Sequence, residues 1–143
     1  MTDTKPKAIS EESARAELNK FLEYYGLDID EVILESDEQS EQRNRKRTIG
    51  RIIKAIREER LQVIDEGGVI KLSQKLKNKS ELVYGELSGR AKVAMKNCGE
   101  TDYHGRMYAL CGALTGIGDA GVHKIKGQDL SLLECIGNIF LAI

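Results

Sequence analysis

Tryptophan is absent from this chain and aromatic residues make up only 5% of it. A core built without them has to come from isoleucine, leucine and valine. Cysteine is also scarce. Cys98, Cys111 and Cys135 are odd in number and too far apart for a CxxC-type zinc or redox motif. Free thiols are expected, with Cys111 and Cys135 inside apolar helical stripes, where cysteine acts as a small hydrophobe. The two histidines, His104 and His123, leave a metal site with these cysteines open by spacing, but no metal and no cofactor is expected.

Long apolar runs are missing too. The last one, residues 130–143, is broken by Glu134 and Asn138 and is shorter than the roughly 20 residues that span a bilayer. The amino end, Met-Thr-Asp-Thr-Lys-Pro-Lys, lacks the apolar centre of a signal peptide. The expectation is a cytoplasmic chain with no membrane span. There is no G-x-S-x-G, no H-E-x-x-H and no P-loop, and neither histidine has an evident nucleophile or carboxylate partner in sequence, Asp102 beside His104 reading as a helix cap. Catalysis is not expected.

What is present is charge, and it is segregated. Residues 1–41 carry twelve acids against four bases, and residues 42–60 carry eight bases against two acids, while the chain as a whole has a net charge of -1. With 143 residues, one domain plus an extension is the natural organisation. The wholly polar stretch 36–44 is the candidate boundary, or else the exposed start of the next helix. It divides an acidic helical extension, 1–44, from an α+β domain, 45–143.

Ser10-Glu11-Glu12 followed by Ala14, Leu18, Phe21 and Leu22 reads as a capped amphipathic helix stopping at Gly26. A shorter piece with Val32, Ile33 and Leu34 follows Asp28 and Asp30. Ile49, Ile52, Ile53 and Ile56 recur at helical spacing within a basic helix. Leu61-Gln62-Val63-Ile64, the turn Asp65-Glu66-Gly67-Gly68 and Val69-Ile70-Lys71-Leu72 read as a β-hairpin, with Glu81-Leu82-Val83-Tyr84 as a third strand. Beyond Gly85 the pattern is helical, with Thr101 or Asp102, Asp119 and Asp129 as candidate caps. Fold class is therefore α+β: N-terminal helices, a small antiparallel sheet and a C-terminal helical bundle.

Three features bear on function. Gly116-Ile117-Gly118-Asp119-Ala120-Gly121 matches G-x-G-x-x-G, but a helix precedes it and too little chain follows for a dinucleotide fold. A helix C-cap and connection is the expected role. Basic residues 43–60, Arg45, Lys46, Arg47 and Arg51 above all, form a candidate nucleic-acid surface, opposed by the neighbouring acidic segment and the lack of interleaved aromatics. Last, the apolar residues of 103–114 and 130–143 either close a core or wait for a partner.

The succession of hairpin, Glu81-Leu82-Val83-Tyr84-Gly85-Glu86, Ala113-Leu114-Thr115-Gly116-Ile117 and Ile125-Lys126-Gly127-Gln128-Asp129-Leu130 before an apolar helix resembles the tail assembly chaperones of long-tailed bacteriophages. The resemblance covers residues 57–143. Leu87 stands where that family commonly has proline after the glutamate. The resemblance implies a non-catalytic protein of the host cytoplasm, absent from the mature virion. It would coat or solubilise the tape measure protein and help recruit tail tube subunits, often beside a frameshifted longer form. Met107, Leu110, Leu114, Leu133, Ile136 and Phe140 are then the candidate contacts for client or self-association, by helix-in-groove packing.

Overall fold

The computed structural model describes residues 9–34, 38–99 and 101–143. The targeting reading of residues 1–8, the start of the polar stretch at 36–37 and the side chain of Leu34 lie outside the described residues.

The first helix, α1 (Glu11–Tyr24), starts where the Ser10 hydroxyl accepts the Ser13 N–H at 3.1 Å, and it ends before Gly26, whose φ of 79° turns the chain. Its apolar stripe, Ala14, Leu18, Phe21 and Leu22, is fully buried. Short α2 (Ile29–Leu34) is tied back to it by the Asn19 side chain, which accepts the Ile29 N–H at 3.0 Å. Helix α3 (Gln39–Arg57) begins within the polar stretch, so described residues 39–44 are its exposed first turns.

Strands β1 (Leu61–Glu66), β2 (Val69–Lys75) and β3 (Glu81–Tyr84) form an antiparallel sheet in the order β1-β2-β3. Glu66 pairs with Val69, so the turn is only Gly67-Gly68, with φ of 61° and 90°. Positive φ at both positions is the geometry that two-residue hairpins favour. β1 and β2 are longer than the alternating residues alone indicate, while β3 has the expected bounds.

Among the described residues four helices follow: α4 (Gly89–Val93), α5 (Tyr103–Thr115), α6 (Gly118–Val122) and α7 (Gln128–Ala142). The fold class is α+β, with helices at both ends of the chain around a small sheet. Asp102 does cap α5, accepting the Gly105 N–H at 3.0 Å. Asp119 and Asp129 do not cap. Each lies one residue or more inside its helix, and Asp129 instead accepts the Lys77 N–H from the β2–β3 connection at 3.1 Å. Gly116, with φ of 78°, ends α5, so the glycine-rich string is a helix stop and a connection, as its context indicates.

The boundary expected at 36–44 does not divide the core. Helix α1 packs on α3 and on the sheet, and Phe21 meets Phe140 of α7 edge-on at 5.6 Å between ring centres. One cluster contains buried side chains from α1, α3, the sheet, α5 and α7. The amino-terminal helices complete this core, with Ala14, Leu18, Phe21 and Leu22 of α1 fully buried in it. Among the described residues no helix is long and apolar enough to cross a membrane.

Candidate functional site

The six apolar residues assigned to client contact lie inside the molecule. Met107, Leu110, Leu114, Leu133, Ile136 and Phe140 are each 7% exposed or less. Phe140 alone packs against Phe21, Tyr25 and Tyr84. In the folded chain they build the core and offer no surface to a client. The same helical spacing serves a core or a docking stripe, and here α1 and α3 occupy the place that a client would take.

The basic residues divide. Lys46, Arg47 and Arg51 are exposed on α3. Arg45 turns inward, donating to the Val32 carbonyl at 2.6 Å and pairing with Glu41 at 3.0 Å. It joins α3 to α2 and is withdrawn from the outer face.

Two clefts open along the seam between α3 and α7. One, about 490 Å³, is lined by Asn44, Arg47 and Thr48 of α3, by Asn138, Ile139 and Ala142 of α7, and by Tyr103, which is 50% exposed. Burial of its ring, with the carboxylate of Glu134 nearby, raises the Tyr103 hydroxyl above its ordinary pKa. The second, about 260 Å³, lies between Arg51, Lys54 and Arg60 on one side and Gln128, Ser131, Leu132 and Cys135 on the other. Early α3 residues thus face late α7 residues and the reverse, so the helices run antiparallel. Burial raises the Cys135 thiol, against the opposing pull of the Arg51 guanidinium. Arg60 is held by Glu58 at 2.8 Å.

Sequence reasoning named Arg47 and Arg51 and took in Lys54 within the basic run 43–60, but missed Tyr103, Ser131 and Asn138 as site residues. A signal existed in Ser131 and Asn138, polar and seven residues apart on one face of a mostly apolar helix.

A second polar group lies outside this seam. Tyr108 donates to Glu134 at 2.9 Å, His104 approaches the same carboxylate at 3.6 Å, and His123, paired with Asp119 at 3.2 Å, meets the Tyr108 ring edge-on. Burial, then the Glu134 hydrogen bond, raises the Tyr108 hydroxyl. Cys98 is half-buried while Cys111 and Cys135 are buried, all with free thiols. Among the described residues no three histidine, cysteine, aspartate or glutamate side chains gather as a metal-binding group.

The segments that carry the phage-chaperone resemblance are fastened to one another. The Gly85 N–H donates to the Leu114 carbonyl at 2.8 Å. Gln74, fully buried, accepts from the Tyr84 hydroxyl at 2.7 Å and donates to the Asp129 carbonyl at 2.9 Å. The junction after β3 is also gripped from α1: Tyr24 donates to Glu86, and the Leu87 N–H donates to the Tyr25 hydroxyl at 3.0 Å. A proline at position 87 would have no N–H to give.

Comparison with protein-family profiles, with curated proteins and with solved structures finds no match to this chain.

Proposed function

We propose that this chain is a non-catalytic tail assembly chaperone of a long-tailed bacteriophage, binding the tape measure protein and helping to recruit tail tube subunits in the host cytoplasm. The observation that carries the reading is the mutual fastening of Glu81–Tyr84, the end of α5 and the start of α7. Each of the short strings behind the resemblance has a definite place in one packed unit, which supports reading them together. The docking surface differs from the one that the apolar spacing indicates, because those side chains are used internally.

The test is mass spectrometry of the proteins recovered on an amino-terminally tagged copy expressed with its native neighbouring genes. A longer form sharing this amino terminus, together with a very long helical protein, is the expected outcome. Recovery of the 15.9 kDa chain alone, or with nuclease-sensitive nucleic acid, overturns the proposal.

The exposure of Lys46, Arg47 and Arg51 favours a second reading, a nucleic-acid-binding or regulatory protein. Its affinity would fall steeply with salt and disappear when these three residues are replaced by alanine.

A further inference from the structure

We propose that the cleft between the end of α3 and the start of α7 binds a tetrahedral dianion, inorganic phosphate or the terminal phosphoryl group of a small phosphomonoester. The cleft holds about 260 Å³, and its polar lining is Arg51, Lys54, Arg60, Gln128 and Ser131. Each of these side chains carries a hydrogen-bond donor and three carry a positive charge, while no carboxylate lines the cleft. That inventory selects an anion. Leu132 and Cys135, which complete the lining, are core side chains and offer no binding surface.

The donors converge because separate segments meet here. Arg51 and Lys54, three apart, share one face of α3, and Gln128 and Ser131, three apart, share one face of α7. Arg60 lies past the end of α3 and is held beside them by its backbone. Its N–H donates to the Ala55 carbonyl at 2.9 Å, and its carbonyl accepts the Lys75 N–H at 2.8 Å. Lys75, an exposed cation, therefore begins beside the same wall.

Two carboxylates lie close by, and both are engaged. Asp129 turns to the β2–β3 connection, where it accepts the Lys77 N–H at 3.1 Å. Glu58 accepts from Arg60 Nε at 3.1 Å and Nη2 at 2.8 Å, and this hydrogen bond, with the Arg60 and Lys54 charges, holds its carboxyl below the ordinary range. Glu58 thus competes with a bound anion for Arg60 and offsets one of the three charges. Two remain, on Arg51 and Lys54, which form no salt bridge with any described residue. A phosphomonoester, with a charge of about −2 at neutral pH, matches them. A monovalent carboxylate leaves one cation over, and so does each singly charged phosphate of a nucleic-acid strand.

The site is independent of the chaperone reading, so the two fail separately. The full chain is titrated by calorimetry with inorganic phosphate at about pH 7.5, where the dianion dominates, and at constant ionic strength. Glycerol phosphate, acetate and a single-stranded oligonucleotide are titrated in parallel. Phosphate is expected to bind at least about tenfold more tightly than acetate, and Arg51→Ala with Lys54→Ala to remove at least about tenfold of that affinity, since charge-assisted hydrogen bonds carry it. Glu58→Gln releases Arg60 and is expected to tighten binding at least about threefold. Arg43→Ala with Lys46→Ala, exposed on α3 outside the cleft, is expected to leave it within about twofold, as charges screened by solvent contribute little. Circular dichroism of each variant checks that the fold is intact.

Tighter binding of glycerol phosphate than of phosphate assigns the site to an ester, and weaker binding to the free ion; either upholds it. No saturable heat, equal affinity for acetate, equal loss in the control pair, no gain from Glu58→Gln, or tighter binding of the oligonucleotide overturns the site. Phosphate binding without recovery of a tape measure protein leaves the site standing and removes the phage reading.

Discussion

Gln74 shows how one polar residue sets the register between the sheet and the last helix. It sits fully buried on the central strand, and both ends of its amide are used, by Tyr84 and by the Asp129 carbonyl. Tyr84→Phe would leave the Gln74 oxygen buried without its donor and is expected to cost about 1–2 kcal/mol, read from the shift of a urea unfolding midpoint. No change in midpoint would mean that water replaces the hydroxyl. The thiols give a second test at this scale. Burial pushes Cys111 from 9.0 up to about 12, so between those values the unfolded chain releases a proton that the folded chain keeps. The contribution is complete below about pH 9 and is lost as pH rises towards 12. Cys111→Ala is expected to flatten part of the alkaline fall in stability, measured by denaturant unfolding at intervals from pH 8 to about 11; an unchanged slope would assign the fall elsewhere. With a thiol reagent at neutral pH, Cys98 is expected to react first, and Cys111 and Cys135 only on unfolding.

Between elements, two glycines allow close approach. A Cβ at Gly112 of α5 would lie 2.5 Å from the Gly118 carbonyl carbon at the start of α6, whereas one at Gly137 of α7 would lie 2.6 Å from the Met107 Cγ. Backbone cannot yield as a flexible methionine can. Gly112→Ala is therefore expected to destabilise by about 3 kcal/mol or more and Gly137→Ala by about 1–2 kcal/mol, as thermal unfolding can rank. The reverse order would show that α6 moves more freely than the Met107 pocket. Nothing in the sequence marks Gly112 as different from Gly105, because the neighbour it meets lies across a turn. Ser10 and Asp102 were legible as caps, since a cap is a local bond. Asp129 was not, because its partner, Lys77, is 52 residues away.

At the scale of the molecule, the amino-terminal helices are part of the fold. Removing residues before Gln39 would strip Phe21 and Tyr25 from Phe140 and release the Tyr24 and Tyr25 hold on Glu86 and Leu87. The truncated chain is expected to lose its cooperative thermal transition by circular dichroism, against the reading of 45–143 as an independent domain. A sharp transition in that fragment would restore the boundary. By itself the sequence determined the fold class, the presence of the hairpin with Gly67 and Gly68 in a turn it drew two residues too long, most helices and the separation of acidic from basic chain, because these follow from period, turn chemistry and composition over short distances. Only the tertiary structure decided that the apolar faces of α5 and α7 are core, that Arg45 turns inward, and that two clefts open between α3 and α7. Spacing shows that a face will be buried, and which surface covers it depends on elements far apart in the chain.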